Sequence, residues 1–323
     1  MPWLTPIVFK QSADEPLTRL PRFDDGPADS RFRHLVHVYR DKAVPENTAV
    51  QSITFDTIRF ARQFAQPDYP VSCVMVAFPE DVDLIPADMV AAPALQRSVT
   101  DVARFSVPRV LPLLFDVIRG GMSAPLPTGQ RSDAVECLVF TNSDIHLQPP
   151  FYRVLATLIR QGYDAITINR RTVDADPGNR AFSPLFMVEP GRDHHGFDCF
   201  VFPADMLRSF AVNDSCCGGA GVMRSLLFNL AAHARRFLML TRPHMTFHLG
   251  NDVHWANPRF ADYQYFNYHQ VLSTIAALAR NPEKAKRLSD FIAVHEGPEY
   301  RDALPGILSQ SKWFQEPASP EKP

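Results

Sequence analysis

The feature that most constrains this chain is an abrupt change of polarity at residue 141. Cys137, Leu138, Val139 and Phe140 form a continuous apolar run that stops at Thr141-Asn142-Ser143-Asp144. A short apolar run bounded by polar residues predicts a strand buried on both faces, as in a parallel sheet. Pro149 and Pro150 then precede a segment whose apolar positions, Phe151, Val154, Leu155, Leu158 and Ile159, recur at helical spacing. Proline suits the first turn of such a helix. The order is buried strand, polar turn, helix. In open α/β sheets ligands bind just beyond the carboxyl ends of the strands, so Asp144 is a site candidate by position alone.

The same alternation runs along the chain. The first thirty residues, rich in Pro, Asp and Arg, read as an irregular arm. A first strand is predicted over His34–Tyr39, then a helix from Thr48 to Phe64 capped at Asn47, with Ile53, Phe55, Ile58, Phe60, Ala61 and Phe64 as its apolar positions. Val71–Phe78 is a second buried strand, and "VLPLLFDVIRGG" a helix ending in glycines. Asp164–Arg171 and "GFDCFVFP" read as strands, "ADMLRSF" as a helix, and "CCGGAGVMRSLLFNLAAHA" as a glycine turn entering a helix. "RFLMLTRPHMTFHLGND" supplies further strands, and the pattern turns helical beyond about Asn257. The aromatic cluster of Trp255, Tyr263, Tyr265, Phe266 and Tyr268 is expected to serve as packing. Strands alternating with helices at this spacing argue for βαβ units and a mainly parallel sheet. Four segments are expected: an arm over 1–30, an α/β domain over 31–257, a helical segment over 258–311 packed on it, and a loose tail over 312–323.

Composition removes several functional classes. A chain of 323 residues can bury a substantial core without staples. A net charge of −2 gives no electrostatic footprint for nucleic acid or an anionic membrane. The five cysteines show no metal-type spacing, and Cys73, Cys137 and Cys199 each sit inside an apolar run. A reducing, cytoplasmic setting is the simplest expectation. The start, "MPWLTPIVFKQSADEP", lacks the basic and apolar regions of a signal peptide, and no apolar stretch of about 18 residues predicts a transmembrane helix. There is no GxxxxGK[ST], no GxGxxG after the first strand and no GxSxG.

"TNSDIHLQPPFY" resembles the strand-end acidic motif of GT-A-type glycosyltransferases, and the resemblance extends over His34 to Trp255 as a pattern of elements. It implies a GT-A-like, mainly parallel nucleotide-binding sheet flanked by helices, and a nucleotide-sugar donor, most often UDP-linked. It also implies a divalent cation, Mn²⁺ or Mg²⁺, on the donor diphosphate. The chemistry accounts for the residue types. A hard divalent cation neutralises the leaving diphosphate and needs only one or two protein carboxylates besides phosphate oxygens. Asp144 matches the last acidic position of the motif and is the expected metal carboxylate, while Asn142 stands where many members have Asp. His248, late in the domain, is the expected second metal ligand. His244 would lie roughly 13 Å from it along a regular strand, too far to share one ion.

On the acceptor side the resemblance implies a base near "RDHHGFDCFVF", with Asp198 the first candidate and Asp214 and Asp252 its rivals. Arg40, Phe78, Asp81 and Arg97 are the donor-side candidates near the first two strand ends, and Arg170 and Arg171 are possible phosphate contacts. The acceptor, whether glycan, small molecule or protein, is left open. Three other readings stand beside this one. A sugar-phosphate nucleotidyltransferase would need a glycine-rich loop where "YRDKAVPENTA" stands. A metal-dependent hydrolase would draw on His194, His195, His244, His248 and His254, which lack HxH or HExxH spacing. A non-catalytic glycosyltransferase-like binding protein is compatible with Asn142.

Overall fold

The computed structural model describes residues 6–8, 30–40, 46–66, 68–125, 135–174, 183–250, 257–303 and 305–306. Its strands are β1 (Pro6–Val8), β2 (Ser30–His37), β3 (Val71–Val76), β4 (Val90–Ala91) and β5 (Val135–Thr141), then β6 (His146–Leu147), β7 (Ala165–Val173), β8 (Arg192–Pro203), β9 (Phe237–Leu240) and β10 (Thr246–Leu249). They form one sheet in the order β1-β9-β7-β8-β5-β2-β3-β4, with β10 set beside β7 and β6. β2 pairs parallel with β3 and β5, and β7 pairs parallel with β9 and β10. Between these two parallel blocks lies β8, antiparallel to both β5 and β7.

Alternation along each strand divides the core into two layers. Cys137 and Val139 of β5, Phe32 and Val36 of β2, and Cys199 and Val201 of β8 face one way. There they meet Phe55, Ile58 and Ala61 of α1 (Glu46–Ala65) and Phe151, Tyr152, Leu155 and Leu158 of α3 (Phe151–Arg160). Leu138 and Phe140, Leu35, and Phe200 and Phe202 face the other way, against α2 (Leu114–Ser123) and α5 (Arg224–His233). Buried residues of α6 (Ala261–Leu278), α7 (Pro282–His295) and α8 (Pro298–Arg301) join that same cluster through Val271, Ile275, Leu288, Phe291 and Tyr300. The one further helix, α4 (Leu185–Val188), is a single turn without buried residues. The fold is therefore an α/β sheet flanked by helices on both faces, the layout that the resemblance implies.

Several elements differ from expectation for local reasons. The expected arm contains β1, which pairs antiparallel with β9. The first long strand begins at Ser30, four residues early, because Ser30 to Arg33 already pair with β5. Leu113 bridges to Cys216, so α2 begins only at Leu114. Ala204–Ser209 is a 3₁₀ turn between Pro203 and Phe210, the short-connector use of that geometry. Phe60 and Phe64 lie outward on α1 and stay exposed, with Arg153 stacked over the Phe64 ring. No described helix is long and apolar enough to cross a membrane. All five cysteines are buried free thiols.

Gly121 sets how closely α2 approaches the sheet. A Cβ there would come within 2.6 Å of Leu35 Cδ2, whereas at neighbouring Gly120 the nearest atom is 3.6 Å away. Overpacking of a filled core costs roughly 1–3 kcal/mol. Gly121→Ala is expected to destabilise by that amount in urea unfolding, while Gly120→Ala is neutral or stabilising within about 1 kcal/mol. Equal effects would show that α2 shifts freely over β2.

Two buried histidines add a pH dependence. His34 bridges the Tyr152 hydroxyl at 2.7 Å and Thr141 Oγ1 at 2.9 Å, and a neutral ring suits two hydroxyls because one nitrogen donates and the other accepts. Burial lowers His34 and His37 to about 3. In the unfolded chain both protonate near 6.5. A depressed histidine leaves stability full above that pH and removes it as pH falls towards 3, by about 1.4 kcal/mol per ring per unit. Between pH 7.5 and 5.5 these two rings alone are expected to remove about 3 kcal/mol of stability, and His146, lowered by burial to about 3 as well, adds in the same direction. Ring-proton resonances of these two histidines titrating above pH 5 would contradict this.

Candidate functional site

The carboxyl ends of β2 and β5, with Arg170 near the end of β7, open onto a cavity of about 790 Å³. That is within the range of roughly 300–1,000 Å³ common for ligand pockets. After Thr141 the chain turns sharply, with Ile145 N donating to the Asn142 carbonyl at 3.3 Å. This turn sets Asn142, Ser143 and Asp144 on the cavity wall. Asp144 Oδ2 lies 3.3 Å from Nε2 of His248, which is buried behind it on β10. The other ring nitrogen of His248 is 2.9 Å from the Gly250 carbonyl. A hydrogen bond there commits Nδ1 as the donor and aims Nε2 at the carboxylate. Gly250 takes φ of 76°, a left-handed conformation that favours glycine.

β8 contributes from the opposite direction. Asp198 Oδ1 accepts from Asn142 Nδ2 at 3.0 Å, and Asp198 Oδ2 faces Arg170 Nη1 at 3.3 Å. Arg170, near the end of β7, also reaches His194 Nε2 at 3.3 Å, and His194 Nδ1 accepts from Gly196 N at 2.9 Å. Burial alone would raise the Asp144 carboxyl. The hydrogen bond and charge of His248, with the charge of Arg170, outweigh it and hold Asp144 well below the usual carboxylate range.

Buried polar atoms without a hydrogen-bond partner among the described residues gather on this wall: Asp144 Oδ1, Arg170 Nε and His37 Nε2. Each such atom costs about 1–3 kcal/mol when left unmatched, and a cluster of them at a cavity marks where a polar ligand or ion fits. Among the described residues no group of three or more His, Cys, Asp or Glu side chains could hold a metal. Asp144 and His248 supply two. Hard cations that keep water and phosphate oxygens need no more.

The structure brings together Asn142, Asp144, His248 and Asp198, and adds Arg170. Other expected site residues lie elsewhere. Arg97 pairs with Asp116 at 3.0 Å and with Asp214 at 3.0 Å, which occupies both the donor-side arginine and the rival base away from the cavity lining. Arg40 pairs with Asp83 and with buried Asp81 at 3.4 Å, also off the cavity. Arg171 is turned to the Pro190 and Gly191 carbonyls. His244 binds Gln148. Asp252, His254 and Trp255 lie outside the described residues.

What the local reading missed is the far wall. His37 ends β2 and Tyr39 lies just past it, the turn Gly218–Gly221 precedes α5, and Tyr265, Tyr268, Glu299 and Tyr300 come from the C-terminal helices. Tyr263 is core, as expected, but Tyr265 and Tyr268 line the cavity. The glycine-rich "CCGGAG" stretch was the one local signal for that wall.

No family profile and no curated protein matches the chain. Among solved structures it is similar to S. aureus TarS residues 1–349 in complex with UDP-GlcNAc, at 11% identity over 85% of this chain and 83% of that one, with a TM-score of 0.40. The same TarS fragment with UDP matches at 11% identity, over 81% and 72% of the two chains, with a TM-score of 0.41. A 4-diphosphocytidyl-2C-methyl-D-erythritol synthase from Anaerococcus prevotii matches at 9% identity, over 74% and 96%, with a TM-score of 0.32. These are likenesses of coarse layout, and the functional argument rests on the residues of the site.

The contact between Asn142 and Asp198 explains the amide at position 142. An aspartate there would set two carboxylates about as close as the present 3.0 Å hydrogen bond. Two like charges sharing a site raise one pKa strongly, so the penalty is present at neutral pH and fades as pH falls through the raised value. Asn142→Asp is expected to lose about 1–3 kcal/mol at pH 7 in urea unfolding, with the gap to wild type narrowing towards pH 4.5. A variant as stable as wild type at pH 7 would place Asn142 elsewhere.

Proposed function

We propose that this chain is a nucleotide-sugar-dependent glycosyltransferase with a GT-A-like sheet, and that the Asp144 end of the cavity binds the donor diphosphate. The observation that carries this reading is Asp144. One carboxylate oxygen is buried without a partner among the described residues, and the other is held against His248 at 3.3 Å. Asp144, and His248 once Nε2 gives up the proton it holds against the carboxylate, fit a divalent cation, Mn²⁺ or Mg²⁺, which when bound neutralises the diphosphate leaving group. The remaining roles fall to the chain. Arg170 supplies a fixed guanidinium beside the phosphate position. Asp198, oriented by Asn142 and Arg170, is the carboxylate that takes the acceptor hydroxyl proton. UDP is the nucleotide that the motif resemblance favours.

Thermal unfolding with UDP, GDP or CDP, each with and without Mn²⁺, tests the reading. A ligand at 100 times its dissociation constant stabilises by about 2.7 kcal/mol. The expected result is a metal-dependent shift with UDP that disappears in Asp144→Ala. Direct Mn²⁺ binding, followed by electron paramagnetic resonance with UDP present, should weaken in the same variant. A shift with no nucleotide, or one indifferent to Asp144, would overturn the reading in favour of a binding protein without transferase chemistry.

A further inference from the structure

The cavity is chemically two-sided. Its sheet side carries Asp144, Asp198 and Arg170, while the opposite side is made by the C-terminal helices. Tyr265 on α6 is 65% exposed and stands edge-on to His269, with ring centroids 4.3 Å apart. One turn on, the Tyr268 hydroxyl donates to the Glu299 carbonyl at 3.1 Å, and its ring lies 5.5 Å from Tyr300. The guanidinium on this wall, Arg224, is held by buried Glu296 at 2.8 Å and lies 5.0 Å from the Tyr300 ring centroid. The Gln264 and Glu299 side chains are exposed where they border the same space.

This lining selects against two ligand classes. A lipid tail would find aliphatic surface at Val222, Met223 and Leu227 beside the glycine turn, but along α6 and α8 it would meet tyrosine hydroxyls and a glutamate. A polyanion would meet Glu299, and a guanidinium already neutralised by Glu296. A saccharide suits both features. Its C–H faces pack on tyrosine rings, which join an apolar body to a polar tip, and its hydroxyls donate to a carboxylate or an amide oxygen. A few such polar groups among aromatic surface are what fix the orientation of a small ligand.

We infer that the wall formed by α6, α7 and α8 is a saccharide-binding subsite that presents an acceptor sugar to Asp198. The role as acceptor rests on the transferase reading; the saccharide chemistry does not.

Saturation-transfer NMR on the full chain tests it. The probes are methyl α-glucoside, methyl β-glucoside, methyl β-N-acetylglucosaminide, maltose and cellobiose, with glycerol 3-phosphate and an octyl sulfate monomer as competing classes. The expected result is saturation of ring C–H protons of at least one saccharide, reduced at least five-fold in Tyr265→Ala and in Glu299→Gln. Tyr265 and Glu299 are both exposed, so neither variant threatens folding. The UDP shift should persist in both. No saturation of any saccharide, saturation of only the phosphate or the alkyl probe, or saccharide signals unchanged in both variants would overturn the inference. Saccharide contact retained in a chain that binds no nucleotide would instead sink the transferase reading and leave a sugar-binding wall.

Discussion

The site depends on the direction of β8. A strand running parallel to β5 and β7 would bring its carboxyl end to theirs, and its opening residues would lie at the far edge of the sheet. Because β8 runs antiparallel between them, its early residues His194 and Asp198 arrive where β5 and β7 finish. Asn142 and Arg170, each from a different strand, then meet the same carboxylate from two sides. The register shifts between Ile168 and Arg171 fall in this stretch. Such irregularities re-aim side chains beside functional sites.

Two charge pairs result, a buried one between Asp198 and Arg170 and a part-exposed one between Asp144 and His248, and they differ in what they leave open. Buried ion pairs are weak evidence for stability, because desolvation offsets much of the attraction. Their value lies in fixed geometry. Asp198 is oriented by an amide and a guanidinium, so its position is set before any ligand arrives. Asp144 is held through one oxygen only, and the charge that favours its ionised form comes from behind it, from His248 on β10. A cation bound there, as proposed, would meet a carboxylate already ionised and already aimed, which would reduce the reorganisation needed on binding.

The sheet, and the strand-end position of Asp144, were legible in the sequence for a physical reason. β5 and α3 announce themselves by local patterns, an apolar run and a helical period opened by proline, and Asp144 follows from its place between them. Asp198 and His248 stand out in the sequence because each adjoins a buried strand, and the structure sets both beside the strand-end turn. Arg97, Arg40, Asp81 and Asp214 lie off the cavity, each in an ion pair, and pairing is a long-range matter. Nothing local indicates that Arg97 is satisfied by Asp116 and Asp214, or that Arg40 folds back on Asp81 and Asp83. Strand direction is equally silent in "GFDCFVFP", whose apolar positions would look the same in either orientation.

The far wall failed for a subtler reason, and it bears on what the C-terminal helices are for. In α6 the same aromatic run serves two surfaces: Tyr263 is buried, and stacked on Phe105 at 3.9 Å, while Tyr265 and Tyr268 turn to the cavity. Helical geometry separates residues two apart by about 200°, so neighbouring tyrosines in sequence cannot share one role. The core face of α6 anchors it through Tyr263, whose hydroxyl donates to the Val107 carbonyl at 2.8 Å, and through Asn267, whose amide bonds the Cys216 carbonyl at 3.1 Å. That second anchor ties α6 to the glycine turn lining the cavity. A Cβ at Gly219 would come within 2.7 Å of the Asn267 amide nitrogen. The core face of α6 thus holds the helix against the turn, and these contacts set where its tyrosines stand relative to the cavity.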